Sequence, residues 1–381
     1  MSEPRIDAKR RNIADDVTFG EGVVIECDDL EIGPGSRIGV SDRDGFRTPP
    51  GVVIRARRLR LGRGVEIGPS VRIEGGDIEL GDDVRVMRHA TIHVLDRLRI
   101  GDGGTLNERT EISGRHIEIG QELWMLPGAK IGGGSAFERS SSLVAGHYLH
   151  LGVDTLVNTA RPVVIGHEVG LGTRTSIYTH GAYPSRLHGF PVAFAGVEIG
   201  DFSWVPGATI NPGVRIGRCC VIGVNSLVTA DVPDGSLAAG LPAKVIRADV
   251  YPRRLSPDES LQFFEEFLAA YAELVGSTAT PERSGASVIL RTEGTTYVAG
   301  EHSPGIEGRA IAIGDGVAAA PRRPGLTSFD TASRRIGGTS DETSARVANE
   351  LRRHGIRFYS RPDGGTYADW PVEPPEFPPN H

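Results

Sequence analysis

Residues 61–120 read LGRGVEIGPSVRIEGGDIELGDDVRVMRHATIHVLDRLRIGDGGTLNERTEISGRHIEIG, and an aliphatic residue precedes a glycine at four nearly even positions. From Leu61 to Leu80, Ile100 and Ile119 the steps are 19, 20 and 19 residues, close to three hexapeptides plus one or two corner residues. Glycine at these points suits a turn that needs an unhindered backbone, and a fixed period indicates a solenoid. We therefore predict a mainly β protein in which each step is one coil with its aliphatic residues pointing inward.

The same rhythm continues on both sides of this stretch. Further aliphatic-glycine pairs occur at Ile32-Gly33, Leu151-Gly152, Ile165-Gly166 and Ile199-Gly200. The rhythm breaks twice, at GGGSAFERSSS (132–142) and at THGAYPSRLHGFPVAFAG (179–196). Loops that leave a regular solenoid are where functional sites tend to lie, so these two excursions are the first places to look for chemistry.

Composition, net charge and cysteine content limit the kinds of protein that this chain can be. The 381 residues include 51 Gly and 25 Pro with only 6% aromatics, which favours many tight corners. A net charge of −7 gives no general attraction to nucleic acid or anionic lipid. Cys27, Cys219 and Cys220 suggest neither a disulfide framework nor a zinc site. With no signal peptide and no run of ~18 apolar residues, we expect a cytoplasmic protein without membrane insertion.

The period changes after Arg247. The segment SPDESLQFFEEFLAAYAELVG has a capping box at Ser256 and Glu259, and its apolar stripe predicts a helix that packs along the solenoid or a neighbouring subunit. Beyond it, a hairpin and a second helix capped by Thr339 predict a small α+β unit. We therefore divide the chain into a leader at 1–18, a solenoid domain at 19–247, an amphipathic helix at 248–276 and an α+β domain with a Pro-rich tail at 277–381.

The second half of the solenoid carries a resemblance. The stretches SIYTHGAYPS (176–185) and GVEIGDFSWVPGATINPGVRIGRCCVIGVNSLVTADVPDGSLAAGLPAKVIR (196–247) resemble the hexapeptide-repeat acyltransferases of the galactoside and maltose acetyltransferase type. The resemblance covers roughly residues 153–247. It implies a left-handed parallel β-helix, an acetyl-CoA-dependent transfer, a homotrimer, and active sites in the clefts between subunits.

The resemblance also implies which residue is the catalytic base. The family histidine follows a coil strand in a Ser-aliphatic-x-x-His context, and His180 occupies that position. A hydroxyl is a poor nucleophile near neutral pH, and imidazole can remove its proton as it attacks the thioester. His188 in the same excursion is the competing candidate or a substrate contact. His147 and His150, which flank the other excursion, are interpreted as surface or interface residues.

Other site residues are implied by position. Asn158 corresponds to an asparagine near the acceptor pocket, although asparagine ladders inside solenoid corners are the alternative. The backbone N–H of Gly207, three residues after Trp204, is implied as the oxyanion donor because Pro206 has no N–H. For coenzyme A the family pattern implies a channel and two phosphate-binding cations: Trp204, Ser226, Leu227, Thr229, Lys244 and Arg247.

The resulting hypothesis is an acetyl-CoA-dependent O-acetyltransferase that acts on a sugar, glycan or related hydroxyl and needs no metal. N-acylation of an amino sugar or other amine is the second alternative. A noncatalytic β-helix scaffold is an alternative of another class. A zinc-dependent γ-type carbonic anhydrase shares the fold, but the histidines here show no recognisable ligand set.

Overall fold

The structure is a computed structural model and describes residues 3–40, 51–300, 308–317, 324–338 and 341–359. The chain divides into two compact units, Met1–Pro252 and Arg253–His381. Each unit has its own hydrophobic core. The Pro-rich tail expected at the end of the sequence lies outside the described residues.

The described residues of the first unit form 29 strands, most of them short. In chain order they are β1 Arg5–Ile13, β2 Thr18–Phe19, β3 Val23–Ile32, β4 Arg37–Ile38, β5 Val52–Leu61, β6 Glu66–Ile67, β7 Arg72–Leu80, β8 Arg85–Val86, β9 Thr91–Ile100, β10 Thr105–Leu106, β11 Glu111–Ile119, β12 Trp124–Met125, β13 Lys130–Ile131, β14 Ser142–Ala145, β15 His150–Leu151, β16 Leu156–Val157, β17 Val163–Ile165, β18 Gly170–Leu171, β19 Ser176–Ile177, β20 His180–Gly181, β21 Ala193–Phe194, β22 Val197–Ile199, β23 Trp204–Val205, β24 Thr209–Ile210, β25 Arg215–Ile216, β26 Val221–Ile222, β27 Leu227–Val228, β28 Leu237–Gly240 and β29 Ala243–Arg247.

Most of these strands form a parallel β-helix with three faces; β20 and β21 pair antiparallel in a sheet of their own, and the last strand β29 is antiparallel to β28. Face one contains β13, β16, β19, β24 and β27, face two contains β14, β17, β22 and β25, and face three runs from β2 through β12, β18 and β23 to β28 and β29. In the early coils one long strand covers faces one and two, because β11 pairs with β13 through its first residues and with β14 through its last. The prediction of a left-handed parallel β-helix of hexapeptide type is confirmed.

The six-residue rhythm arises from inward-pointing ladders. On face one, equivalent residues of successive coils pair in parallel register and are at most 1% exposed; they are Ile54, Ile73, Ile92, Ile112, Ile131, Val157, Ile177, Ile210 and Val228. Full burial of one such side chain stabilises the fold by roughly 1.5–3 kcal/mol. The solenoid therefore holds its shape through many equivalent small contributions.

The first strand extends the solenoid towards the N-terminus. β1 pairs in parallel with β3, with Arg5 opposite Val24 and Ile13 opposite Ile32. Its residues lie within the segment 1–18, which we expected to be a leader. The structure instead starts the coils at Arg5, and the polar outward residues of β1 explain why the repeat was not visible there.

The corner after face two explains the glycine of the aliphatic-glycine pairs. A Cβ on Gly62 would lie 2.5 Å from Asp82 Oδ1, because the carboxylate of the next coil sits directly over the glycine. That carboxylate accepts a hydrogen bond from Arg63 N at 2.8 Å, and Asp102 Oδ1 accepts one from Asp82 N at 2.8 Å. Only glycine leaves room for this ladder of acceptors.

Two histidines replace carboxylates in the same ladder. His147 Nδ1 accepts a hydrogen bond from Gln121 N at 2.9 Å, and His167 Nδ1 accepts one from His147 N at 3.0 Å. The His147 side chain is buried, so our interpretation of it as a surface residue is wrong. Both rings must be unprotonated at Nδ1 to accept these bonds.

We predict that His147 makes the solenoid acid-sensitive. Burial, with a contribution from the neighbouring His167, lowers the pKa of His147 from 6.5 to about 4. The unfolded chain therefore takes up a proton on this residue before the folded chain does, and stability falls as pH drops from about 6.5 towards 4. When the pH is lowered from about 8 to about 5, protonation of this residue in the unfolded chain should reduce the free energy of unfolding by about 2 kcal/mol.

The measurement is urea unfolding at both pH values and fixed protein concentration. His147→Asn keeps an acceptor atom at the same distance along the side chain but cannot titrate, so the loss between the two pH values should shrink by that amount. His188→Asn, in an exposed loop, is the matched control and should behave as wild type. An unchanged pH dependence in His147→Asn would contradict the ladder assignment.

The second unit is a mixed sheet packed against two helices. Its elements are α1 Pro257–Leu274, β30 Glu282–Ser284, β31 Ser287–Thr292, β32 Thr295–Gly300, β33 Ala310–Gly314, β34 Leu326–Asp330, β35 Arg335–Gly338 and α2 Glu342–Arg353. The strand order follows the sequence, with β32, β33 and β34 parallel and the other neighbours antiparallel. None of the helices among the described residues is long and apolar enough to span a membrane.

Helix α1 belongs to this second unit. Phe267, Leu268 and Tyr271 of α1 are buried in one core cluster with Val288 and Leu290 of β31. We expected the helix to pack along the solenoid or a neighbouring subunit. In the structure its apolar stripe packs against the C-terminal sheet instead. The capping box of Ser256 and Glu259 is present as predicted.

The second helix starts differently from our prediction. We expected a cap at Thr339, but Asp341 is the N-cap of α2, and its carboxylate accepts a hydrogen bond from Ser344 N at 2.8 Å. The Ser344 hydroxyl accepts a bond from Asp341 N in return, also at 2.8 Å. The capping box is therefore shifted along the chain, and Thr339 itself lies outside the described residues.

Candidate active site

Both excursions leave the solenoid at the same corner, between faces one and two. One connects β13 to β14, and the other connects β19 to β22. The short corner of the coil that joins β16 to β17 lies between them, because β16 pairs with both β13 and β19. The stacking of coils thus brings together two segments that are well separated in sequence.

Asn158 is fixed at the centre of this corner. It follows β16 directly, and its side chain is buried. Its Nδ2 donates to the carbonyl oxygens of Gly132 at 3.2 Å and Gly134 at 3.0 Å. Its Oδ1 accepts from Thr179 Oγ1 at 2.6 Å and Ala160 N at 3.3 Å. These bonds determine the orientation of the amide group.

His180 is oriented by the same amide. Its Nδ1 lies 3.0 Å from Asn158 Oδ1, which can only accept a hydrogen bond. The neutral ring must therefore carry its proton on Nδ1 and expose the lone pair on Nε2. Gly134 lies next to Nε2: a Cβ atom built on this glycine would be 3.6 Å from that nitrogen. The arrangement presents Nε2 as a base.

An arginine clamps the two excursions around this histidine. Arg161 Nη1 donates to Glu138 Oε2 at 2.7 Å and to Ser140 Oγ at 2.8 Å in the first excursion. Its guanidinium carbon lies 4.8 Å from the ring centroid of Phe194 in the second excursion. Phe194 in turn stacks on His180, with ring centroids 5.9 Å apart and an interplanar angle of 15°. The imidazole is thus held at its Nδ1 edge and on one ring face.

Glu138 is ionised and paired with Arg161 at this corner. The hydrogen bond from Arg161, with a second from Ser135, holds the pKa of the Glu138 carboxyl below its usual range. At neutral pH the carboxylate therefore carries its charge, which the guanidinium of Arg161 balances.

The second excursion presents apolar side chains to solvent. Tyr183 is completely exposed and Leu187 is 94% exposed, and Phe190 and Phe194 are each more than 40% exposed. This is a concentration of apolar surface beside His180. His188 lies in the same exposed segment, within the 3₁₀ turn Arg186–His188.

The polar groups behind two predicted site roles make hydrogen bonds within the protein in this structure. The Gly207 N–H, which we expected to bind the oxyanion, donates to Thr175 Oγ1 at 2.9 Å. The side-chain amide of Asn158, which we expected to contact substrate, forms hydrogen bonds within the protein through both its nitrogen and its oxygen. Asn158 therefore contacts the candidate base in place of an acceptor.

The residues predicted to hold coenzyme A lie elsewhere on the solenoid. Trp204 is on face three, where its ring covers Gly170: a Cβ there would lie 2.4 Å from the indole. Lys244 and Arg247 lie on the terminal strand β29 of the same face. In a three-sided coil, face three is opposite the corner that carries His180. One copy of the chain therefore does not bring these cations to the imidazole.

The last coil contains the remaining predicted residues. Leu227 is on β27 of face one, and Thr229 comes one residue after that strand. The side chain of Ser226 is buried, where it donates to Gly223 O at 2.7 Å and accepts from Gly240 N at 3.0 Å. Ser226 thus joins the last coil to the terminal hairpin, and any part in ligand binding would come from its backbone.

Three residues of the corner were missed by sequence reasoning: Glu138, Arg161 and Phe194. No motif marks them, because their contacts depend on how the two excursions and the short corner between them stack. The Gly-rich start of the first excursion was the available signal. Among the described residues no group of three or more His, Cys, Asp and Glu side chains is placed to hold a metal ion.

The known proteins whose sequences are similar to this chain include several named as acetyltransferases. A Saccharomyces cerevisiae protein named as an acetyltransferase is 38% identical over 112 residues, 28% of this chain and 56% of that protein. Galactoside O-acetyltransferase of Escherichia coli is 32% identical over 126 residues, 32% of this chain and 60% of that protein. The chain thus spans less than two thirds of either relative. These relatives confirm the resemblance found in the sequence.

One of the solved structures similar to this chain is a galactoside acetyltransferase in complex with coenzyme A. It is 23% identical, has a TM-score of 0.28, and the match covers 41% of this chain and 70% of that one. No family model matches the chain.

Proposed function

We propose that this chain transfers an acetyl group from acetyl-CoA to an acceptor hydroxyl, with His180 Nε2 as the general base. The observation that carries the proposal is the bond between His180 Nδ1 and Asn158 Oδ1, because the fixed amide leaves Nε2 as the basic nitrogen. The similarity to named acetyltransferases supports the type of group transferred.

The reaction follows from the placement of the proton. Nε2 removes the proton of the acceptor hydroxyl as the oxygen attacks the thioester carbonyl, and the ring becomes an imidazolium. Its Nδ1–H keeps the hydrogen bond to Asn158 Oδ1. Collapse of the tetrahedral intermediate breaks the carbon–sulfur bond, and Nε2–H returns the proton to the departing thiolate. The base is then restored for the next turnover.

We propose a sugar or glycan as the acceptor. The support is the similarity to galactoside O-acetyltransferase and the half-open corner lined by Phe194 and by the backbone of the first excursion. The test is a screen of sugar acceptors with acetyl-CoA, in which released coenzyme A is titrated with a thiol reagent. Release that depends on a sugar hydroxyl supports the proposal, and transfer only to amines would contradict the O-acetyl assignment.

We further propose that the donor site is completed by a second copy of the chain in a homotrimer. His180 stands at the corner opposite face three, whereas Lys244, Arg247 and Trp204 lie on that face. A neighbouring copy can bring its own face three to this corner. The exposed apolar side chains of the second excursion would then be covered in the assembly.

The shared-site arrangement predicts complementation between two variants that are each impaired when acetyl-CoA is kept near the wild-type KM. His180→Ala retains the donor-binding face, and the double variant Lys244→Gln/Arg247→Gln retains the base. Trimers formed by mixing them after mild dissociation should recover up to about a quarter of wild-type activity, since random assembly pairs an intact base with an intact donor face at that frequency. Light scattering gives the mass of the assembly, and a fully active monomer would contradict the model.

The cations of the terminal hairpin should act on donor affinity. In the variant Lys244→Gln/Arg247→Gln we expect the KM for acetyl-CoA to rise about 10- to 100-fold with a smaller change in kcat, because two charge-assisted contacts to phosphate are lost. The KM for the dephosphorylated donor, which lacks the 3′-phosphate, is the control and should change less. If the variant prefers acetyl-CoA over the dephospho form as strongly as wild type does, the 3′-phosphate is bound elsewhere.

A further inference from the structure

The C-terminal unit contains a cavity at the carboxyl ends of its parallel strands. Strands β32, β33 and β34 end at this edge, and the start of α1 and the segment after α2 close its sides. The cavity has a volume of about 690 Å³, within the roughly 300–1,000 Å³ common for small-molecule sites. In open sheets the carboxyl ends of parallel strands are where ligands usually bind.

The floor of this cavity is bare backbone. Gly300 and Gly314 end β32 and β33, and both have positive φ angles. A Cβ on Gly314 would lie 2.2 Å from Gly300 O, and a Cβ on Gly300 would lie 2.4 Å from Ala286 O. Neither position can carry a side chain without moving the backbone, so the cavity floor stays open.

One wall of the cavity is apolar and is formed by helix α1. Leu261, Phe263 and Phe264 lie on the first turns of α1 and are only partly buried. Phe263 is held edge-on by His354, with ring centroids 5.7 Å apart. Two phenylalanine rings beside a backbone floor suit a flat apolar group.

The opposite rim is cationic. Arg334 and Arg357 line the cavity together with one carboxylate, Asp315, which accepts a hydrogen bond from Thr331 Oγ1. Arg334 is held in place because its Nη1 donates to the Tyr359 hydroxyl at 2.9 Å and its guanidinium lies over the Tyr359 ring. Among the described residues that line the cavity, these are two guanidinium groups and one carboxylate, and a guanidinium pairs well with a carboxylate ligand.

We propose that this cavity is a second ligand site and that it binds a small amphipathic anion, an aromatic or similarly flat body that carries a carboxylate. The flat body packs against Phe263 and Phe264 over the glycine floor, and the carboxylate faces Arg334 and Arg357. The site is separate from the acetyl-transfer chemistry and does not depend on it. It gives the C-terminal unit a binding function of its own.

The test uses the full chain and 2-naphthoate as the probe, in calorimetric titrations with coenzyme A present. We expect one site per chain with a Kd on the order of 0.1 mM, given the usual binding energy per atom of small ligands. The neutral isostere 2-naphthamide should bind about tenfold more weakly, because it forgoes the charge-assisted contacts.

Three variants locate the site. Arg357→Gln should weaken naphthoate binding about tenfold and leave naphthamide binding nearly unchanged, since it removes only the charge. Phe264→Leu should weaken both ligands. Arg335→Gln is the matched control, because Arg335 is an exposed arginine on β35 outside the cavity lining. Far-UV circular dichroism confirms that each variant is folded.

Several results would overturn the proposal. One is the absence of saturable naphthoate binding up to millimolar concentrations, and another is an equal loss of both ligands in Arg357→Gln. A third concerns the chain itself, since the sequence after Tyr359 contains Trp370 and Phe377 beside Glu373 and Glu376. If deletion of residues 360–381 tightens naphthoate binding tenfold or more, the occupant is this tail and not a separate small anion.

Discussion

His180→Ala is expected to lower kcat by about two to four orders of magnitude, the usual range for loss of a positioned general base. The physical reason is that Nε2 is the basic nitrogen at the corner, and the side chains found against the ring in the described part of the chain, Asn158 and Phe194, cannot take up the acceptor proton. Acetyl-CoA binding should stay within about twofold of wild type, because the donor is assigned to another face of the solenoid. Steady-state rates and a direct binding titration together measure both effects.

His188→Ala is the matched control, since His188 lies in the same excursion but in its exposed 3₁₀ turn. It should cost less than about tenfold in kcat. In wild type the rate should also fall as the pH is lowered and the imidazole becomes protonated, since a protonated ring cannot accept a proton. Near-normal turnover in His180→Ala with an inactive His188→Ala would move the base to the other end of the loop, and normal turnover in both would refute the mechanism.

The solenoid was predictable because its physics is local and repeats. Every coil must place an aliphatic residue inward and leave room at the corner for the next coil, so Leu61, Leu80 and Ile100 each precede a glycine. A requirement repeated in each coil leaves a period in the sequence. The excursion that carries His180 stood out for the same reason, since it interrupts that period.

The role of Asn158 was not predictable, because it depends on which backbone groups of the neighbouring coils face the amide. Its partners Gly132 and His180 lie 26 and 22 residues away, in coils on either side. Sequence reasoning placed Asn158 near the site but could not show that its amide bonds to His180 and to the backbone of a neighbouring coil. The same limit applies to Gly207, whose N–H is taken by a threonine hydroxyl 32 residues earlier.

The acceptor ladder shows how a repeat can hide a substitution. At the corner after face two the pattern of Asp82, Asp102 and Asp201 continues through His147 and His167, because Nδ1 of a neutral histidine accepts the same backbone bond as a carboxylate. From sequence alone His147 was interpreted as a surface or interface residue, and His167 was not singled out. Register between coils, which the aliphatic spacing only approximates across the first excursion, was the missing information.

Asn158→Ala is expected to lower kcat about 10- to 100-fold with little change in the KM of the acceptor. The reason is that His180 loses the group that fixes its ring, and a displacement of about 1 Å at a catalytic group can cost about 100-fold. A contact to the acceptor, the role first expected for Asn158, would instead raise the acceptor KM. The split between kcat and KM therefore separates the two roles.

The pH–rate profile provides the decisive second measurement. In Asn158→Ala the imidazolium loses a hydrogen-bond acceptor, so protonation becomes harder and the acid limb of the profile should move to lower pH. Asn158→Asp keeps the acceptor oxygen at His180, but its second oxygen faces the carbonyl oxygens of Gly132 and Gly134 and must carry a proton there, so this variant should keep the acid limb of wild type. A purely structural role would lower stability in both variants and shift neither limb. An unshifted acid limb in Asn158→Ala, or an equal shift in both variants, would show that Asn158 does not orient the base.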